Sequence, residues 1–310
     1  MKSPLSLPVL KRTYLDNSIL ETVARCPRLG YFNYVINRAS RGTNYPIQYG
    51  VAYHKFRETI EALYIDWVGK EGQSLDDVQK LIYTTAWAVC TKDWKDPPLE
   101  HKKSYLDIGR LERACVQSYK DWILEKQHGH YIVIGNETGF TLPLPSGRVF
   151  AGRIDQVLEW NQRLWLRDFK TIGRMDRDLK AKFTPGHQFT GYTWAQSQLS
   201  NRAVEGVIID VVYNIKSKGP EFHPTLATRS SFDIQLWLEW VEHEYDNYQM
   251  FWERGMWPMK TSACGDYGGC FFKKCCNSGS NSSMEQWLQD FTIESVWDTL
   301  NPEQEKGIPQ

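Results

Sequence analysis

The sequence predicts an α/β fold of the α+β kind, with strands clustered in the middle of the chain and helices on both sides. Three observations predict it. Amphipathic helical stretches fill the chain up to Gly129. A β-branched and aromatic texture punctuated by turn residues follows. A helical pattern and an apolar strand then return between Pro185 and Ile215.

Residues 1–16 read as an extended arm. The run DNSILETVARCPRLGYFNYVINR reads as a helix, with Ser18 and Glu21 spaced as a capping box. Pro27 lies inside that pattern and breaks or kinks it near Cys26, because a proline nitrogen carries no proton to donate. YGVAYHKFRETIEALYIDWV is a second amphipathic helix, followed by helical stretches near 75–93 and 103–127. Residues 131–171 read as a three- or four-stranded antiparallel meander, turning at Pro145-Ser146-Gly147 and Asn161-Gln162. A helix from Pro185 to about Leu199, a buried strand AVEGVIIDVVYNI and a long helix around 231–254 complete the regular structure. Residues 284–310 are polar and acidic, a short helix and a loose tail. With no internal repeat or low-complexity linker, the chain is expected to form a single domain over 1–310. Its parts are an arm (1–16), a helical part (17–128), an α/β core (129–216), a helix and cysteine segment (217–283) and a polar tail (284–310).

Lys+Arg and Asp+Glu both number 37, so no global basic field exists to coat nucleic acid, and any polyanion site is local. No apolar run approaches the roughly 20 residues of a membrane span. The opening MKSPLSLPVLKRTYL has only a short, proline-broken apolar patch and makes a poor signal peptide. A cytoplasmic, reducing location of the bacterial or phage kind is expected, where the seven cysteines bind metal more readily than they pair.

The chemistry concentrates in GRIDQVLEWNQRLWLRDFKT. Asp168 and Lys170 stand at i and i+2 of one strand and share a face, while Arg167, Phe169 and Thr171 point the other way; Asp155 reaches the same face from the neighbouring strand. Two carboxylates and an ammonium suit a hard divalent ion, Mg²⁺ or Mn²⁺, next to a positioned cation. The plainer alternative is a cross-strand ion pair on a solvated face, and Asp-x-Lys alone is weak, recurring at Asp93-Trp94-Lys95 and Asp178-Leu179-Lys180.

Four motifs in order carry a resemblance: Gly50-Val51-Ala52-Tyr53-His54, Gly152-Arg153-Ile154-Asp155, Asp168-Phe169-Lys170-Thr171 and Gln188-Phe189-Thr190-Gly191-Tyr192. Together they resemble the PD-(D/E)XK nucleases, in particular their RecB-like exonuclease branch, over roughly residues 18–280. The resemblance implies a restriction-endonuclease-like core with a mixed central sheet flanked by helices, an N-terminal helical elaboration and a C-terminal cysteine segment. It implies a hydrolase that cleaves phosphodiesters of DNA, an exonuclease acting on single strands or ends. His54, Asp155, Asp168 and the Phe169 carbonyl would hold Mg²⁺ or Mn²⁺, and Lys170 would support the attacking water. Gln188 and Tyr192, one turn apart, would contact the backbone or orient Lys170. Without the resemblance, His54 reads as a core histidine, Gln188 and Tyr192 as a polar helix edge, and Glu58 as a site neighbour or a solvated charge. Arg153, Arg167, Arg174, Lys180 and Lys182 are candidate phosphate contacts. DNA is the expected partner, with any helicase, recombination or CRISPR-type partner supplied by another chain, because no phosphate-binding P-loop motif is present. A non-catalytic nucleic-acid-binding or scaffold protein that keeps the fold is the alternative.

CGDYGGCFFKKCC holds four cysteines within thirteen residues. A zinc knuckle usually shows two short Cys pairs, which this spacing lacks; reactive or packed thiols and an iron–sulfur cluster are the other readings. By resemblance to RecB-like nucleases of the helicase–nuclease and CRISPR-adaptation types, Cys26 joins Cys264, Cys270 and a last cysteine around a 4Fe-4S cluster. The family's five-residue closing gap selects Cys276 over Cys275, although the first C-terminal gap is longer than the common one. Such a group would close a loop of about 240 residues and so restrict the unfolded chain. Cys90 and Cys115 sit in helical patterns and read as core.

Overall fold

A computed structural model describes residues 7–129, 131–173, 183 and 186–300. Along the chain run α1 (Asn17–Arg25), α2 (Pro27–Gly30), a π-helical turn (Tyr31–Val35), β1 (Arg38–Ser40), α3 (Tyr45–Tyr64), which continues as a π-helical turn (Ile65–Lys70), α4 (Leu75–Thr91) and α5 (Ile108–His128). Then come β2 (Ile132–Pro143), β3 (Val149–Trp160), β4 (Arg163–Ile172), α6 (His187–Ser200), β5 (Val204–Asn214), β6 (Pro220–Ala227) and α7 (Ser231–Arg254). A 3₁₀ segment (Thr261–Gly268), α8 (Lys273–Cys276), α9 (Asn281–Phe291) and β7 (Thr292–Glu294) follow.

The central sheet has the order β2-β3-β4-β5-β6. β3 and β4 pair antiparallel, β4 and β5 parallel, β5 and β6 antiparallel, so the sheet is mixed. Helix α6 makes the crossover that a parallel pair requires. The β3–β4 turn at Asn161-Gln162 has φ of 50° and 62°, the two left-handed residues that suit a tight hairpin. The meander is thus three strands, and β6 is an additional strand that the sequence reading does not contain.

The chain divides into two compact units. The first comprises Met1–Thr43, Gly139–Arg153 and Ser230–Pro309, the second Asn44–Thr138 and Ile154–Arg229. In the second, Tyr49, Tyr53, Phe56 and Ile60 recur at helical spacing on α3 and meet Val78, Ile82 and Ala86 of α4, Leu111, Ala114 and Trp122 of α5, and Phe169 and Val212 of the sheet. Cys90 and Cys115 are buried in this core as expected. It also encloses charge: Glu61 accepts from Lys126 Nζ at 2.6 Å and from Trp122 Nε1 at 2.8 Å, with both charged side chains almost wholly buried.

In the first unit, α1 buries Ile19, Leu20 and Val23, and α7 buries Trp237, Val241 and Tyr248. Ser230 and Asp233 form a reciprocal capping box at the start of α7, and Gly255 ends it at φ 62°. The expected capping box at Ser18 and Glu21 is corrected: Asp16 is the N-cap and accepts from the Ile19 N–H at 2.9 Å. Pro27 does end α1, and α2 folds back so closely that a Cβ on Gly30 would stand 2.5 Å from Val23 Cγ2. Val23 is fully buried and has nowhere to go. Gly30→Ala is therefore expected to cost about 1–3 kcal/mol in a urea unfolding titration, as overpacking does.

Candidate active site

The site lies in the second unit, where α3 crosses β4. A Cβ at Gly50 would meet Thr171 Oγ1 at 3.0 Å, so the glycine lets the helix approach the strand closely. One turn later His54 faces the sheet, with Nδ1 3.3 Å from Asp155 Oδ2. The β3–β4 ladder runs from Trp160↔Arg163 to Gln156↔Arg167; beyond it the Phe169 N–H donates to Asp155 Oδ2 at 2.9 Å. The carboxylate thus takes a backbone donor where the strand pairing stops. The Phe169 ring is buried and sits edge-on to His54 and Tyr53, with the Arg57 guanidinium 4.6 Å from its centroid.

On β4, Lys170 Nζ stands 2.8 Å from Asp168 Oδ2, and from α6 Gln188 Nε2 donates to Asp168 Oδ1 at 3.1 Å. Asp168 Oδ2 is buried and makes no hydrogen bond beyond this charge contact. Two contact sets, His54–Asp155–Phe169 and Lys170–Asp168–Gln188, therefore meet at the consecutive residues Asp168, Phe169 and Lys170 of β4. Tyr192 is half-buried one turn further along α6.

The electrostatics are those of a site short of positive charge. Burial pushes Asp168 up to about 6, with Asp155 adding to the shift and Lys170 opposing it. Burial also acts upward on Asp155, but His54, Lys170 and the Phe169 N–H outweigh it and hold Asp155 low. Burial pulls the His54 imidazole down; the adjacent Asp155 carboxylate reverses this and raises it. One imidazole nitrogen and two buried carboxylates form a donor set suited to a small hard cation. Among the described residues, no three His, Cys, Asp or Glu side chains are gathered as a ready metal cage, since Asp168 is turned to Lys170 and Gln188.

Gln188, expected to contact the nucleic-acid backbone or to orient Lys170, donates to Asp168, the carboxylate that pairs with Lys170. Arg167 is a correction. It is buried on the opposite face of β4, with Glu125 at 3.0 Å and Asp210 at 3.1 Å, so it braces the fold and is closed to phosphate. Glu58 forms a surface ion pair with Lys55 at 2.9 Å. Arg153 belongs to the first unit, and Arg174, Lys180 and Lys182 lie outside the described residues. The sequence reading does not contain the role of Gly50 or the stacking of Arg57 on Phe169; an arginine in helical register with Tyr53 and Ile60 is the available signal for the latter.

Cys26 and the four cysteines of the C-terminal segment belong to the first unit. Arg28 donates from Nε to Trp257 O at 2.7 Å and from its backbone N–H to Pro258 O at 3.1 Å, and Phe32 stacks on Phe272 at 4.7 Å. These contacts bring Cys26 to the C-terminal cysteines; the Lys260 N–H points at Cys26 Sγ at 3.5 Å. Cys276 is pushed up to about 11 by burial and by the thiols of Cys270, Cys26 and Cys264, against the pull of Arg28. Cys275 is different: it is fully buried, with Sγ 3.9 Å from Met284 O, and Cys276 is its sole thiol influence.

A model of the PD-(D/E)XK nuclease superfamily matches residues 17–277. The chain belongs to the PD-(D/E)XK nuclease superfamily. No curated protein matches this nuclease-superfamily chain in sequence. Among solved structures, it is similar to a "putative exonuclease" from Eubacterium rectale, at 12% identity and a TM-score of 0.41, over 76% of this chain and 90% of that one. It is also similar to the protein SSO0001, at 13% identity and a TM-score of 0.32, over 77% of this chain and 78% of that one. Among the described residues of this superfamily member, no helix is long and apolar enough to cross a membrane.

Proposed function

We propose that the protein is an active, metal-dependent deoxyribonuclease of the RecB-like branch, an exonuclease acting on single strands or DNA ends. The observation that carries this reading is the contact chain His54–Asp155–Phe169 together with Lys170–Asp168–Gln188 in one unit. Buried carboxylates whose titration is displaced by charged partners cluster at functional sites, and here two of them, Asp155 and Asp168, share one site with His54 and Lys170.

His54, Asp155, Asp168 and the Phe169 carbonyl would hold Mg²⁺ or Mn²⁺, which supplies Lewis-acid polarisation of the phosphodiester. Asp155 orients the imidazole through Nδ1 and anchors β4 through the Phe169 N–H. Lys170, partly open to solvent, offers its ammonium to the water that attacks and to the charge that builds on phosphorus-bound oxygen. Gln188 fixes the rotamer of Asp168. Gln188→Ala is expected to weaken Mn²⁺ binding about 10- to 100-fold by calorimetric titration, the usual effect of losing an outer partner of a ligating carboxylate.

Cys26, Cys264, Cys270 and Cys276 would carry a 4Fe-4S cluster, the thiolates going to separate irons, which requires less crowding than a single ion. The amide aimed at Cys26 and the remoteness of Cys275 support this ligand set. In anaerobically purified protein, Cys276→Ser should lose iron and the broad absorbance near 400 nm, whereas Cys275→Ser should keep both. Exonuclease action is tested with 5′- and 3′-labelled single strands: short products from one end support it, and internal fragments from both labels refute it.

A further inference from the structure

Beginning within the cysteine segment, the first unit displays a row of aromatic rings that no catalytic role uses. Phe271 and Trp287 have centroids 5.1 Å apart, and Trp287 and Phe291 follow at 5.3 Å. Phe271 is 42% exposed and Phe291 53% exposed, at the two ends of a half-buried indole. The row is held rigidly from beneath: Phe271 packs edge-on to buried Phe272, Phe272 stacks on Phe32, and α9 is anchored through buried Met284 and Leu288. Adjacent exposed rings are costly in water, and a rigid row of them marks a contact surface.

Charge at both ends narrows the class of partner. Lys273 and Lys274 directly follow Phe271–Phe272 and are exposed, and among the described residues their side chains make no ion pair or hydrogen bond. At the other end Arg41, also exposed, is fastened beside Phe291, donating from Nη2 to Gln289 O at 2.7 Å and from Nε to Thr292 O at 3.1 Å. On the same helix, Asp290 accepts a hydrogen bond from Gln286 Nε2 at 2.9 Å. Rings in a row, tilted by 56° and 32° between neighbours and with cations at each end, match a flexible polyanion that carries stackable rings. An apolar protein helix would use the rings and leave three cations unmatched.

We propose that Phe271, Trp287 and Phe291, flanked by Lys273, Lys274 and Arg41, form a docking platform for single-stranded nucleic acid, separate from the residues of the active site. Bases stack on the rings, which is sequence-tolerant because every base has a π face, and the lysines track the phosphates. The platform goes beyond the nuclease reading and does not depend on hydrolysis.

The test is fluorescence anisotropy with a labelled oligothymidylate, without divalent metal, on the full chain carrying Lys170→Ala. Phe271→Ala/Phe291→Ala is expected to bind at least about thirtyfold more weakly than its parent, the lower bound for losing two stacked bases. Lys273→Gln/Lys274→Gln is expected to weaken binding and flatten the slope of log affinity against log salt by about 1.4, for two phosphates on a single strand. If the ring variant misfolds by circular dichroism, the lysine variant decides alone. Unchanged affinity in a folded ring variant, or an unchanged salt slope in the lysine variant, overturns the platform and leaves the surface to a protein partner. In chains retaining Lys170, both double variants are expected to hydrolyse a small nitrophenyl phosphodiester with Mn²⁺ at the parent rate. Failure of the parent in that assay counts against the nuclease reading and not against the platform.

Discussion

Asp155→Ala is expected to slow DNA hydrolysis about a thousandfold or more, since the lost carboxylate is both a ligand and the support of His54. It is also expected to destabilise the fold by about 1–3 kcal/mol, because the Phe169 N–H loses its acceptor in a buried setting. The two effects are separable. Asp155→Asn keeps an oxygen for the Phe169 N–H and removes the charge, so it should abolish activity and leave the urea midpoint near wild type. Steady-state cleavage rates and unfolding curves on the two variants check this; an Asp155→Asn chain that cleaves at the wild-type rate would show that the charge is not needed.

The largest stability effect is expected at Glu61. Its carboxylate is shared by Lys126 and the Trp122 indole inside the core of the second unit, and Lys126 also lies 4.5 Å from the centroid of the Tyr64 ring. Glu61→Ala leaves an ammonium buried without its counter-charge and is expected to cost about 3–5 kcal/mol. Adding Lys126→Met removes the stranded charge and should recover most of that loss. A double variant no more stable than the single would mean that Glu61 acts through the indole alone.

The long helices and the site were legible because each rests on local pattern. Helix α7 follows from a capping box, a helical period and Gly255. The aspartates and Lys170 follow from the two-residue period of strands, and the motif order places His54 and Gln188 around them. What escaped depended on partners distant in sequence. β6 contains Pro220 and Pro224, which argue against a strand; it is nevertheless one, because it lies at the sheet edge, where a proline has one side free of ladder bonds. β1 and β7 are three residues each, too short to show a period. Arg167 read as a phosphate contact because its partners, Glu125 and Asp210, come from α5 and β5. Asp16, Asn17 and Ser18 are all good caps, and the burial of Ile19, Leu20 and Val23 sets the register that selects Asp16.

The central claim is that Asp155, Asp168 and Lys170 make a metal-dependent phosphodiester-hydrolysing site. Its most direct test is cleavage of single-stranded DNA as Mn²⁺ is titrated, for wild type beside Lys170→Ala, with DNA binding measured in parallel. Saturable cleavage by wild type, abolished by chelation and lost in Lys170→Ala while DNA remains bound, is the predicted result. Intact DNA in the wild-type reaction at saturating Mn²⁺, or equal cleavage by the two proteins, would contradict it.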